Sequence, residues 1–237
     1  MKKIFLALSM VIAFTGCDTL TQVMNSTTGG GLSTEQITNG LKEALSIGTQ
    51  NSTNHLSAVD GFFANAALKI LMPQEAQNVE KTLRSLGMGS LIDNAILSMN
   101  RGAEEAAKTA APIFLNAIKQ MSITDAVGIL KGGDFAATNF FKDKTTAALT
   151  ASFSPVINNA LQKVGATKYW TDVFNVYNKF STKPVNTDLS AYVTGKAIDG
   201  IFYEVSLEEQ KIRKDPAARV TDILKTVFGS SQAQGGN

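Results

Sequence analysis

The sequence predicts an all-α, single-domain protein of about nine or ten helices, and three observations carry that expectation. Apolar side chains recur every three or four positions from residue 32 to residue 229. Cap-forming Ser, Thr, Asp or Asn open these runs, and Gly or Pro closes them. Alternating β-branched runs of strand length do not occur, apart from a weak candidate at Ala67 to Met72.

Ser33 and Gln36 have the spacing of a capping box, with Leu32 and Ile37 as the hydrophobic staple around it. Ile37, Leu41, Ala44, Leu45 and Gly48 continue the helical period, and Asp60-Gly61 reads as a turn. Pro73 suits a first helical position. Ala76, Val79, Leu83 and Leu86 make one face, and Gly87 suits the stop. A long helix starts near Ser90 and carries Ile92, Ile96, Met99, Ala103 and Ala106, until Pro112 kinks it or restarts it as Ile113 to Met121. Thr124 and Asp134 are the expected N-caps of two short helices separated by Gly132-Gly133. Leu149, Phe153, Val156, Ala160 and Val164 form the next stripe, with Pro155 inside it and Gly165 at its end.

Thr167 is expected to cap a helix bearing Trp170, Val173, Phe174 and Tyr177. Asn186 is expected to cap one running through Leu189, Val193, Ala197 and Ile201. Ser206 and Glu209 offer a second capping box, which predicts a break near Val205. Asp215 and Pro216 open the last helix, whose Val220, Ile223, Leu224, Val227 and Phe228 face inward before Gly229. The tail 230–237 has no apolar side chain larger than Ala and is expected to be disordered.

Residues 1–16 read as an address. Lys2 and Lys3 precede the apolar run Ile4 to Phe14, which at about 16 Å is too short to span a bilayer. Thr15-Gly16-Cys17 then resembles the bacterial lipoprotein box, in which cleavage before the Cys leaves it lipid-modified. Phe14 stands where that box prefers an aliphatic residue. Residues 17–31, rich in Thr, Ser, Asn and Gly, read as a lipidated Cys and a flexible tether with a root-mean-square reach of about 20 Å. The folded domain is then 32–229. Asp18 resembles an inner-membrane retention signal of enterobacteria, which other Gram-negative groups read differently, so either membrane remains open. The expected location is the Gram-negative cell envelope, lipid-anchored and facing the periplasm.

Composition removes functions rather than selecting one. The 237 residues, 44% hydrophobic and 18% charged, supply one core of ordinary size. The formal net charge of +2 includes Lys2 and Lys3 of the cleaved segment, so the mature chain is near neutral and is not expected to bind nucleic acid. One Cys and one His exclude a disulfide framework and an ordinary Cys/His metal site, and no cofactor is expected. His55 lies in a polar stretch with no carboxylate near it in sequence to orient it as a base. There is no Gly-x-Ser-x-Gly elbow, no His-Glu-x-x-His helix and no phosphate-binding Gly-rich loop. Gly132-Gly133-Asp134-Phe135 is superficially similar to the diguanylate cyclase signature, without its Glu, and reads better as a helix end followed by a cap. The segment Glu204 to Lys214 reads as a salted surface. Phe62-Phe63, Phe140-Phe141 and Tyr169-Trp170 are each expected to send one ring to the core and one to its rim.

Asn100, Arg101 and Glu104 form the candidate polar cluster. Asn100 and Glu104 are four apart, as are Arg101 and Glu105, so each pair shares a helix face. The plainest reading is a solvated ion-pair ladder. The alternatives are a buried structural network, in which Asn100 points inward beside Met99, Ile96 and Ala103, and a functional site. Burial of Arg101 needs another element over that side, and the charged segment ending in Arg213 is the expected cover.

Four blocks, residues 60–73 (DGFFANAALKILMP), 83–107, 112–145 and 208–229 (EEQKIRKDPAARVTDILKTVFG), resemble the bacterial family called domain of unknown function 4197. The similarity covers most of Ser33 to Gly229. It implies an exported or lipidated helical protein and brings no activity, cofactor or catalytic residue.

Three functional classes follow. The leading expectation is a non-enzymatic, membrane-tethered binding or scaffolding module, with an envelope protein or a glycan as partner. Its rival is a carrier of an apolar small molecule, a lipid or quinone, held between helices. A carboxylate-dependent hydrolase comes last. A closed apolar cavity of several hundred Å³ favours the carrier, a large exposed apolar patch the partner-binding module, and a cleft with facing Glu residues the hydrolase.

Overall fold

The computed structural model describes residues 32–163, 165–179, 184, 188–230 and 233. The expected signal peptide, Cys17 and tether lie outside the described residues, as does most of the expected tail. From Ser33 the chain forms one compact unit, all-α among the described residues.

Helix α1 (Thr34–Ser57) opens on the capping box read from the sequence: Ser33 Oγ accepts from the Gln36 N–H and Gln36 Oε1 from the Ser33 N–H. Residues 58–73 are irregular, and no strand forms at Ala67 to Met72 because the Ile70 backbone pairs with the Asn100 side chain instead. Pro73 precedes a 3-10 turn (Gln74–Ala76), which leads into α2 (Gln77–Ser85). Gly87, at φ +80°, makes the tight turn into α3 (Gly89–Ala107). A break at Lys108 and Thr109 separates α3 from α4 (Ala110–Gln120), so Pro112 falls in a first turn, where its missing N–H costs nothing.

The cap of α5 (Ile123–Lys131) is Ser122, not Thr124: Ser122 and Asp125 make the capping box, and Thr124 lies inside the helix. Helix α6 (Ala136–Lys163) is not capped by Asp134, whose carboxylate pairs with Lys214. It runs unbroken through Pro155 and buries Phe141, Thr145, Leu149, Phe153, Ile157 and Leu161, not Val156 and Ala160. Each step of four advances the stripe by about 40°, so it winds round the helix and meets a different neighbour at each end.

Helix α7 (Ala166–Asn178) already includes Thr167, and α8 (Leu189–Lys214) is capped by Asp188; Asn186 lies outside the described residues. Helix α8 passes Val205 without a break, so Ser206 and Glu209 form no capping box. Asp215 and Pro216 open a 3-10 turn (Pro216–Ala218) as read, but Thr221 caps α9 (Asp222–Phe228), and Val220 is 66% exposed in the linker between them.

At the centre α6 packs against α3 and α8, and α1 lies across α4, α5, α8 and α9. Phe114, Phe141 and Phe202 meet edge to face in this core. Phe62 and Phe141 are fully buried while Phe63 and Phe140 sit at its rim.

Candidate functional site

The cluster on α3 is a fastener for the irregular segment 58–73. Asn100 is fully buried. Its Oδ1 accepts from the Ile70 N–H at 2.8 Å, and its Nδ2 donates to the carbonyls of Ile70 and Ile96. Glu104, one turn on, accepts from the Phe62 and Phe63 N–H groups through Oε1 and from Arg101 through Oε2 at 2.6 Å. Arg101 bridges back to Asp60 at 2.7 Å. Its guanidinium pKa is raised, first by the hydrogen bond to Glu104 and then by Asp60. The cover over Arg101 is thus Asp60 and the Phe63 ring, not the segment ending in Arg213, whose guanidinium is held by Glu209 and the carbonyls of Ile129 and Leu130. Both Glu104 oxygens and all three Asn100 hydrogen-bonding positions are taken within the chain, so the cluster holds structure together.

His55 has the carboxylate that its sequence neighbours lack. Glu204, from α8, lies 3.2 Å from His55 Nδ1, and Asn65 reaches the other Glu204 oxygen at 3.5 Å. Sequence proximity hid this pair, because its members are 149 residues apart. They border a polar surface depression with Asn51, Glu208 and Lys211. Ser52, one turn before His55, donates to the Gly48 carbonyl. Among the described residues no group of three or more His, Cys, Asp or Glu could hold a metal ion.

The third feature is an apolar cavity of about 520 Å³ between α2–α3 and α7–α8. Val79, Leu83, Ile92, Trp170 and Phe174 are among its walls, and Glu80, Asn94 and Ser98 are its polar positions. Trp170 and Phe174, one turn apart, meet with their rings tilted by 44° and their centroids 4.3 Å from each other. Helix α2 has an apolar face but buries none of its residues. It is held by Arg84, which bonds Glu80 and Asp93, the second of these on α3, and the two carboxylates raise the guanidinium pKa, Asp93 foremost. The apolar face of α2 is therefore spent on the cavity wall. In sequence these side chains are indistinguishable from core, since a cavity lining and a core both ask for apolar residues at helical spacing.

No curated protein and no solved structure matches the chain. Its sequence from residue 31 to residue 229, most of its length, matches one protein family, and the chain belongs to that family, described as "Protein of unknown function (DUF4197)".

Proposed function

We propose that the chain is a lipid-anchored, periplasm-facing binding module of the Gram-negative envelope, without catalytic activity, whose ligand is an apolar small molecule such as a single-chain lipid or a quinone. The observation that carries this reading is the cavity. Its volume lies within the range of about 300–1,000 Å³ usual for small-molecule sites, and its walls combine aliphatic and aromatic side chains with few polar ones. It favours the carrier over the scaffolding module expected from the sequence, because an apolar hollow recognises the body of a molecule rather than a protein face. Among the described residues no cationic side chain lines it and its one carboxylate, Glu80, is paired with Arg84, so an uncharged buried part suits it best. The hydrolase reading is supported by nothing beyond the His55–Glu204 pair, beside which the Ser52 hydroxyl is engaged with Gly48.

Trp170, the sole tryptophan of the chain, makes the cavity self-reporting. Titration with 1-decanol is expected to shift and saturate its emission, and organic extraction of protein purified from its host is expected to release an apolar compound in stoichiometric amount. A flat titration together with an empty extract would overturn the reading.

A further inference from the structure

The turn between α2 and α3 ends in the side chains of Leu86 and Met88, which are 69% and 46% exposed and flank Gly87. A Cβ on Gly87 would meet nothing within 4 Å, so the turn projects into open space. Of the two, Met88 lines the cavity itself, together with Leu83, Leu91, Ile92 and Trp170, and Leu86 stands two residues from it on the same turn. The apolar tip is thus joined through Met88 to the cavity that holds the Trp170 and Phe174 rings.

We propose that this tip is a membrane portal: Leu86 and Met88 enter the surface of a phospholipid bilayer, and the apolar ligand passes there between bilayer and cavity. The proposal rests on the anchored, apolar-binding reading above and adds the surface through which it works. Two observations select a lipid surface as the occupant. The apolar tip is continuous with the cavity, so whatever covers the tip also borders the ligand's entrance, and an apolar ligand partitions from lipid rather than from water. The fourteen residues between Cys17 and Leu32 span at most about 50 Å. A domain of this size is about 40 Å across, so the anchor holds it within little more than one domain diameter of the bilayer. Glu80, Lys81, Arg84 and Asp93, the charged groups nearest the tip along the chain, cancel in sum. Insertion is therefore apolar in origin and insensitive to salt.

The test uses the mature lipidated protein in vesicles of phosphatidylethanolamine and phosphatidylglycerol. Acylation occupies Cys17, so Leu86→Cys and, as control, the exposed position Asn54→Cys each add one free thiol for an environment-sensitive dye. The dye at position 86 is expected to shift to the blue and to be quenched by nitroxide-bearing acyl chains, in low and high salt alike, while the dye at 54 stays in water. A dye at 86 that behaves like the control on bare vesicles overturns the portal, and a shift seen only with envelope proteins present assigns the tip to a protein partner. Titrating Trp170 with 1-decanol in the same samples separates the two readings. Decanol binding beside a water-exposed tip leaves the cavity standing and removes the portal; a dehydrated tip without decanol binding removes both the cavity reading and the portal. With Leu86→Asp, loading of Trp170 from decanol-bearing vesicles is expected to slow at least about tenfold, while decanol added in solution still binds. Equal loading rates overturn the portal.

Discussion

Glu209 and Arg213 sit one turn apart on α8 and close the ends of two other helices. The Glu209 carboxylate accepts from the Ala137 and Thr138 N–H groups and the Thr138 hydroxyl at the N-terminus of α6. Arg213 donates to the Ile129 and Leu130 carbonyls at the C-terminus of α5 and to Glu209 itself. Glu209 is buried and Arg213 nearly so, with side chains 4% and 11% exposed. The anion meets the positive end of one helix dipole and the cation the negative end of another, so a single ion pair satisfies groups that neither helix can satisfy alone.

Removing one member should therefore cost far more than a surface pair. Glu209→Ala leaves buried N–H groups and a buried guanidinium without partners, for which the expected loss is about 3–5 kcal/mol. Urea denaturation measures it. The double variant Glu209→Leu, Arg213→Met should lose less than the sum of the two single changes, because no charge is then stranded. A Glu209→Ala protein with the parent's denaturation midpoint would refute the double-cap account.

This pair also marks where sequence reading stops. Ser33 with Gln36, Gly87, and Asp215 with Pro216 were legible because each partner lies within a few residues of the group it serves. Ser206 and Glu209 have the spacing of a capping box as well, yet Glu209 serves a helix 71 residues earlier in the chain. His55 and Glu204 are hidden for the same reason. Past Phe153 the buried α6 stripe passes through Ile157 and Leu161 rather than Val156 and Ala160, because a fixed helical period cannot follow a burial face that winds. The solvated ladder, the plainest reading of the Asn100 cluster, gives way to the buried network, since Asn100 and Glu104 are both buried. The partner of Asn100, the Ile70 backbone, belongs to a segment whose apolar residues read as a weak strand. The cavity had no signature at all, since empty space is not written in residue types.

Within the α3 fastener the three residues should rank by what each leaves unpaired. Asn100→Ala strands the Ile70 N–H and carbonyl in the core, and Glu104→Ala strands the Phe62 N–H and Arg101. About 3 kcal/mol is expected for each, or a fall in melting midpoint of about 6–12 °C. Arg101 is 37% exposed, and Glu104 keeps its two backbone donors without it. Arg101→Ala should cost about 1 kcal/mol, nearer to a surface pair. An Arg101 variant that melts below both others would mean that the guanidinium, not the backbone pinning, carries the cluster.

Two glycines on α8 should respond to alanine with opposite signs. A Cβ on Gly200 falls 2.6 Å from Cε1 of Phe62, a ring with no exposed surface. A Cβ on Gly195 meets nothing within 4 Å. Gly200→Ala should destabilise by about 1–3 kcal/mol through overpacking, and Gly195→Ala should stabilise by about 0.5–1 kcal/mol through helix propensity. Paired thermal melts decide it, and a stabilised Gly200 variant would show that the α8 contact with Phe62 is loose.

Cys17 tests location. With Cys17→Ser the chain should fail to incorporate labelled fatty acid and should be recovered as unprocessed or released protein. Recovery of the variant in membranes just as the parent, from a parent that takes up no label, would remove the anchor and with it the bilayer proximity on which the portal depends.

Ala95 offers the cleanest test of the cavity, because its side chain lines the hollow and is only half-buried. Ala95→Phe should put a ring into the hollow without stranding a polar group, so the melting midpoint of the unliganded protein should hold or rise. In the parent, ligand at a hundredfold excess over its dissociation constant adds about 2.7 kcal/mol, or about 5–10 °C in the midpoint for a domain of this size. That increment should vanish in the Ala95→Phe protein, along with the Trp170 response to 1-decanol. Retention of both the shift and the fluorescence change would place the ligand elsewhere. A lowered midpoint without ligand would mean that the hollow is tighter than its volume implies, and that the helices around it close on an added ring.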